Sequence, residues 1–497
     1  LKLIGRIADD STETKARVIL LKDLENEVVS EELVIIKNGG HDDYQILGVL
    51  REGLGKNEFL NYTSYKPDIA YMKYGGEPSG AREVYSFSVQ PIGVITNNGI
   101  EPNRKIIRPR SPVYLLDDND NPFELISKGV DVLWLDAFLD RHEKWKIPVN
   151  KTFIPYHVGV YGSTGSGKSW FTRYILIPLY IRTGYKVLIL DWSGTDYAPY
   201  YRNLKNVEVI NITDVSLDEE SVLSYFKEKT NDFAGNDNIE DAFDEFIVGW
   251  KDKVENAIKN VPENKRPHEI LYAELKTHVN NYIIKNIEQR WRNYAERAKN
   301  RVFRKFKDVD LLPIMGTVSI EELLKKFEEG KRILVIDMSG LPADAKLSFF
   351  STLANYLYKL MEMGSNVNIA LVIDEAPQYA PWSPDGLQRQ TTEMIKNLAA
   401  LGRKRMLNLT LIAQGIKGEI GINASVRRNL NTHFFGRIHP LDAGGEGGAS
   451  EWLSPYGITP DHMLQLNPGK FYFSGAMNLS PVPLLITYKP SLSENHG

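Results

Sequence analysis

Apolar positions change rhythm along the chain. Over residues 1–112 they fall in short runs, Leu33–Lys37 (LVIIK), Gln45–Leu50 (QILGVL) and Ile92–Thr96 (IGVIT), separated by Gly, Asn and Asp clusters. Short apolar runs bounded by turn residues predict β-strands, and a succession of them predicts a small barrel or sandwich. The acidic stretch Leu116–Asn121 (LDDNDN) has turn composition and predicts a linker, taken over 113–150. From residue 151 the runs become almost continuously apolar: His157–Gly162, Val187–Asp191, Val207–Ile210, Ile333–Asp337, Ile369–Asp374 and Leu409–Ala413. They alternate with helical stretches, as parallel strands covered on both faces do. Between 215 and 312 the rhythm is helical throughout. Leu275, Val279, Ile283, Ile287, Trp291, Tyr294, Ala298, Val302 and Phe306 recur at spacings of three or four. That spacing predicts one amphipathic helix of about nine turns, with a basic end over Arg290–Lys307.

The chain thus divides into a β-rich barrel-like domain (1–112), a linker (113–150), an α/β core in two parts (151–214 and 313–485), a helical insertion between them (215–312) and a C-terminal tail (486–497). Composition adds exclusions. The 497 residues are 42% hydrophobic and 25% charged, which is globular and not disordered. There is no cysteine, which removes disulfide scaffolds, cysteine-ligated metals and thiol nucleophiles. The formal net charge of −4 means that a nucleic-acid binder of this kind has to concentrate its basic residues locally. No apolar run approaches the roughly 18 residues of a membrane span, and the first residues lack a signal-peptide core. The expected location is cytoplasmic, with no membrane segment.

Candidate chemistry centres on Gly162-Ser163-Thr164-Gly165-Ser166-Gly167-Lys168-Ser169, a complete GxxxxGK[ST] phosphate loop between an apolar strand and a helical run that starts near Trp170. Its glycines let backbone N–H groups turn inward around phosphates. Lys168 is placed to reach the β- and γ-phosphates and Ser169 to ligate Mg²⁺, which makes ATP and Mg²⁺ the expected cofactors. Pro178 is expected to kink or shorten the following helix. The strand ending Asp374-Glu375 is the better acidic partner: Asp374 for the Mg²⁺ shell, Glu375 to orient or deprotonate the attacking water. Asp191 and Asp337 read as plain strand-end acids. Gln414 leaves its strand where a polar side chain can sense the γ-phosphate. Arg403 or Arg405 is a candidate finger reaching a neighbouring subunit. For a nucleic acid the candidate basic residues are Arg389, Lys396, Lys417, Arg427, Arg428 and the basic helix end. No helix-turn-helix, zinc-finger or metal-protease signature is present.

Together these segments resemble the HerA branch of the HerA–FtsK ATPases. The resemblance is carried by GSTGSGKS, VLILDWSGTDY, VIDEAPQYAP and GRKRMLNLTLIAQ in that order, with LNPGKFYFSG similar to the last sheet segment. It implies a RecA-like P-loop NTPase core, preceded by a small β-barrel, in a homohexameric ring. Such a ring moves along DNA, double-stranded and without sequence preference, as an ATP-driven translocase or helicase. It also implies a role in repair or end resection with a NurA-like nuclease. Lys168, Ser169, Asp374 and Glu375 match the family's nucleotide and catalytic positions, Arg403 its trans-acting arginine and Gln414 its sensor. Two departures mark a divergent member. Tyr156-His157 stands where HerA proteins often carry Arg-His, and Gly194-Thr195-Asp196-Tyr197 has one extra residue. The alternatives are a DNA-pumping or conjugation-type ATPase with another partner, and a slow nucleotide-switched DNA-binding assembly module.

Overall fold

The computed structural model describes residues 1–63, 66–78 and 83–489; most of the expected tail, 490–497, lies outside the described residues. Two compact units emerge. One holds Leu1–Phe153, Tyr161–Phe171 and the described residues from Thr432 on; the other holds Ile154–Val160 and Thr172–Asn431.

The first unit begins with β1 (Lys2–Ile7), β2 (Ala16–Leu20), β3 (Leu33–Lys37), β4 (Gln45–Asn57), β5 (Glu83–Thr96), β6 (Gly99–Glu101) and β7 (Pro112–Leu115). Their order is β2-β1-β7-β3-β4-β5, and β2 also pairs with β5, so six antiparallel strands close into a barrel. Closure leaves no open edge, and Ile4, Val18, Val34, Ile36, Ile46, Leu50, Val89 and Val113 fill the interior.

The stretch 113–150, expected as a linker, is folded. Its start belongs to β7, and β8 (Val132–Leu139) and β9 (Lys146–Asn150) form a hairpin. Leu135, Ala137 and Leu139 alternate inward, and Trp145 is fully buried. Trp134 and Phe138, apolar residues next to the inward ones, masked that period of two.

In the second unit, β10 (Val158–Tyr161), which passes into the first unit at Tyr161, is followed by β11 (Lys186–Asp191), β12 (Val207–Asn211), β13 (Ile333–Asp337), β14 (Ile369–Ile373) and β15 (Leu407–Ala413). The sheet order is β12-β13-β11-β14-β15-β10, with parallel pairing from β12 to β15. Helices occupy residues 219–305 between β12 and β13, and Phe226, Phe243, Trp250 and Phe306 form their aromatic core. The expected single helix is two, Pro267–Asn286 and Gln289–Lys305, broken where Ile287 and Glu288 turn extended. Strict spacing of four drifts about 40° per step around a helix of 3.6 residues per turn, so the break re-aims the buried face. After it Ala295, Ala298 and Val302 are buried, while Trp291 and Tyr294 are exposed. Pro178 lies in the first turn of a helix, Ile177–Arg182, behind a π-helical turn at Thr172–Leu176. The helical run continues past it because a first-turn proline loses no needed N–H.

The first unit is completed by β16 (Thr432–Phe435), β17 (Lys470–Gly475) and β18 (Leu484–Thr487), which form an antiparallel sheet with the hairpin in the order β16-β17-β18-β8-β9. β18 therefore runs past residue 486, where the tail was expected to begin. Arg51 of β4 fastens these parts of the unit. Its guanidinium is 1% exposed and pairs with Glu31 (3.0 Å). It also donates to the carbonyls of Tyr456 (2.9 Å) and Pro483, and Glu31 accepts from the Tyr472 hydroxyl (3.2 Å). Arg51→Ala leaves Glu31 as a buried charge without its partner, so a loss of about 3–5 kcal/mol is expected. Urea unfolding checks this; a loss below about 1 kcal/mol contradicts it.

Candidate functional site

β10 leads into the phosphate loop, which belongs to the first unit. Gly165 (φ 77°) and Gly167 (φ 98°) hold left-handed backbone, a conformation that side chains resist. At Gly167 space is closed too, since a Cβ there would lie 3.1 Å from the Gly469 nitrogen and 3.2 Å from the Tyr488 hydroxyl. Such turns aim successive N–H groups into one concavity, which is how a backbone binds polyphosphate.

Distant segments brace the loop. The Ser163 N–H donates to Arg437 O (2.7 Å), the Gly469 N–H to Ser166 O (2.9 Å) and the Tyr488 hydroxyl to Gly167 O (3.0 Å). Phe171 packs against Phe434, Phe471 and Tyr488. Lys168 Nζ donates to the loop's own carbonyls, Gly162 at 2.7 Å and Ser163 at 3.3 Å. Gly162 and Ser166 are buried, Ser169 is half-buried, and Thr164 and Trp170 are exposed. Tyr488 was missed by sequence reasoning. The apolar run Leu484–Ile486 just before it was the available signal.

In the second unit parallel strands end side by side in polar residues. Asp191 of β11 is in register with Asp337 of β13, and Leu190 with Ile373, after which comes Asp374. β15 pairs with β14 and runs on to Ala413, before Gln414. Such strand ends are where open α/β sheets place ligands. Asp191 is a loop organiser: Oδ1 accepts from the Gly194 N–H (3.0 Å), and Oδ2 from the Tyr197 and Ala198 N–H groups (2.9 Å each). The loop so shaped brings Asp196 in, and carboxylate oxygens of Asp191, Asp196 and Asp374 lie within 4.8 Å of one another.

Asp374 is 4% exposed, and its Oδ2 is buried without a hydrogen-bond partner. Burial, then the charges of Asp196, Glu375 and Asp191, push its carboxyl well above the usual range. A divalent cation relieves that repulsion and takes oxygen ligands, so this donor set fits Mg²⁺. Glu375 has left-handed backbone (φ 48°, ψ 47°), and its Oε1 accepts from Gln414 Nε2 at 2.7 Å. Sequence reasoning singled out both residues but not their bond. Asp337 pairs with Arg202 (3.3 Å) and accepts from the Ser339 N–H (3.0 Å). Lys346 was missed. It is buried, its Nζ donates to Trp192 O (2.8 Å) and lies 4.5 Å over the Trp192 ring. Burial lowers its pKa, against the opposing pull of Asp191 and Asp337.

Residues 138–357 match the family described as the helicase HerA central domain. Over those residues the chain is similar to the central domain of HerA helicases. A DNA double-strand break repair helicase HerA of Pyrococcus furiosus is 29% identical over 188 residues, 37% of this chain. The match spans 32% of that relative's length. Solved structures similar to the chain include the bacterial conjugative coupling protein TrwB (TM-score 0.46, 14% identity, 70% of this chain and 89% of that one). VirB4 of Thermoanaerobacter pseudethanolicus is another (TM-score 0.44, 15% identity, 67% and 89%). Likenesses at that level leave the assignment resting on the sequence match.

Both candidate arginines are engaged within the second unit. Arg403 donates to Asn429 O (3.1 Å) and lies 5.6 Å from the centre of the Tyr156 ring, and Arg405 donates to Gly364 O (3.0 Å). His157 accepts the Leu409 N–H at Nδ1 (3.1 Å) and meets Ala399 O from Nε2 (2.8 Å), which fixes the neutral tautomer with its proton on Nε2. Burial pulls its pKa down to about 4, and Arg403 adds to this. Between pH 6.5 and about 4 the unfolded chain therefore binds a proton that the folded one refuses. The stability difference between the parent and His157→Asn should shrink by about 3 kcal/mol as pH falls through that window. Parallel slopes of the two proteins in chemical unfolding from pH 7 to 4 would contradict this.

Of the expected DNA-binding residues, Arg427 needs correction. It is 6% exposed, with its guanidinium 5.0 Å from the centre of the Trp382 ring, because the short helix Ala424–Arg427 turns it inward. Arg389 and Lys396 pair with the acids of their own helix, Asp385 and Glu393. Arg428 is exposed and Lys417 half-buried. Among the described residues no helix is long and apolar enough to cross a membrane.

Proposed function

We propose that this chain is an ATP-driven DNA translocase of the HerA type, hydrolysing ATP at the subunit interfaces of a homohexameric ring and moving along double-stranded DNA without reading its sequence. The observation that carries the reading is the phosphate loop, with Gly165 and Gly167 in the backbone region an anion cradle requires and with Lys168 at its edge. Residues 162–170 hold the phosphates. Ser169 and, through water, Asp374 would hold Mg²⁺, which supplies charge neutralisation of the phosphates. Glu375 orients the attacking water and takes up its proton. Gln414 positions Glu375, and Arg403 of a neighbouring subunit neutralises charge developing on the γ-phosphate. A NurA-like nuclease partner and a place in cytoplasmic end resection complete the reading.

The Gln414–Glu375 bond favours a second reading, a slow nucleotide-switched assembly module, because it occupies an oxygen of the acid that must meet water. Steady-state ATP hydrolysis with Mg²⁺, with and without double-stranded DNA, separates the two. The translocase reading expects strong stimulation by DNA. Slow turnover indifferent to DNA supports the switch.

A further inference from the structure

The helix Gln289–Lys305 turns three alanine and valine positions inward, Ala295, Ala298 and Val302. At 100° per residue, Arg290, Tyr294, Arg297, Arg301, Arg304 and Lys305 fall within one sector of about 100° that flanks the buried face, and all are exposed. The helix's single acid, Glu296, lies off this stripe and pairs with Lys299. Among the described residues no ion pair reaches Arg297, Arg301, Arg304 or Lys305, and Arg290 pairs only with Glu288. Two large rings border the charge: Tyr294, 53% exposed, within that sector, and Trp291, 57% exposed, on its buried-face side one turn before Ala295, with the Arg290 guanidinium 5.6 Å from the centre of the Trp291 ring.

An uncompensated arginine row in a chain of net charge −4 is complementary to a polyanion. A membrane surface would also attract it, but an interfacial helix needs an apolar face to bury in lipid. Here that face is already packed inside the unit. Flat rings beside guanidinium groups instead suit bases freed from a duplex, which stack on aromatic side chains while their phosphates meet cations.

We propose that the exposed flank of Gln289–Lys305 is a contact for single-stranded nucleic acid, with phosphates on Arg297, Arg301 and Arg304 and bases against Trp291 and Tyr294. It rests on the proposed function only in taking nucleic acid as the ligand. The contact would hold a strand opened or displaced as the duplex is worked on.

The test is equilibrium binding of the full chain, without nucleotide, to a dye-labelled oligothymidylate of about 30 residues and to a duplex of equal length. Arg297→Glu/Arg301→Glu/Arg304→Glu should weaken single-strand binding at least about tenfold and flatten the log–log salt slope by about 2, at roughly 0.7 per lost phosphate contact. The glutamine triple variant should show a weaker loss in the same direction. Trp291→Ala/Tyr294→Ala should weaken single-strand binding about tenfold and leave duplex binding nearly as it was. Parental affinity in the charge variants overturns the proposal. So does equal loss on both ligands in the aromatic variant, or parental binding to phosphatidylserine vesicles with none to the oligonucleotide. An inactive motor would show as absent hydrolysis with oligonucleotide binding still dependent on the stripe, which separates failure of the two readings.

Discussion

Glu375→Gln should lower kcat for ATP hydrolysis by about 10²- to 10⁴-fold, the usual contribution of a positioned acid or base. The substitution is nearly isosteric. The amide oxygen can still accept the bond that Gln414 donates to Oε1 at 2.7 Å, and the left-handed backbone at this position is no less tolerable for glutamine than for glutamate. Proton-accepting capacity is what disappears. Nucleotide should still bind, so an equilibrium titration with a fluorescent ATP analogue and a single-turnover hydrolysis assay together give the test. Hydrolysis within about threefold of the parent would remove Glu375 from the chemistry.

The second large effect is expected from Lys168→Ala, and it should fall on binding as well as on rate. The ammonium is held at the loop edge by the Gly162 and Ser163 carbonyls, and in the proposed mechanism it transfers to phosphate oxygens. A charge-assisted hydrogen bond is worth about 1.5–3 kcal/mol, or about 10- to 100-fold in nucleotide affinity. Loss of a preorganised donor to developing charge removes about 10²- to 10³-fold in rate. The same titration and assay separate the two parts. Unchanged affinity would show that the lysine stays on its carbonyls and does not grip the nucleotide. Such a result would count against the assigned role of Lys168 and leave Glu375 untouched.

The strands of the second unit and the phosphate loop were legible because physics leaves few alternatives there. A strand buried on both faces must be apolar throughout, and β13 coincides with its apolar run. Glycines at 165 and 167 announce left-handed backbone. Other features arise only once the chain has folded. The break at Ile287 comes from re-aiming a buried face, whereas a three- or four-residue spacing runs on regardless. The burial of Arg427 depends on Trp382, 45 positions earlier, and nothing local distinguishes it from Arg428. β8 was hidden because Trp134 and Phe138, between the residues that face in, are apolar too, and β9 because Pro148 sits inside it. Lys346 had a visible sign, a lysine on an otherwise buried stretch of helix, but its partner carbonyl at Trp192 is set by topology.

The brace on the phosphate loop bears on how the protein is made. Gly167 is tied to Tyr488, 321 positions later in the chain. Translation proceeds N-terminus first at about 5–20 residues per second, so the loop leaves the ribosome roughly 15–60 seconds before Tyr488 does. Throughout that interval the nascent chain carries the glycines and the lysine without the hydroxyl that clasps them. The clasp on the phosphate loop is therefore among the last contacts of the first unit to form during synthesis.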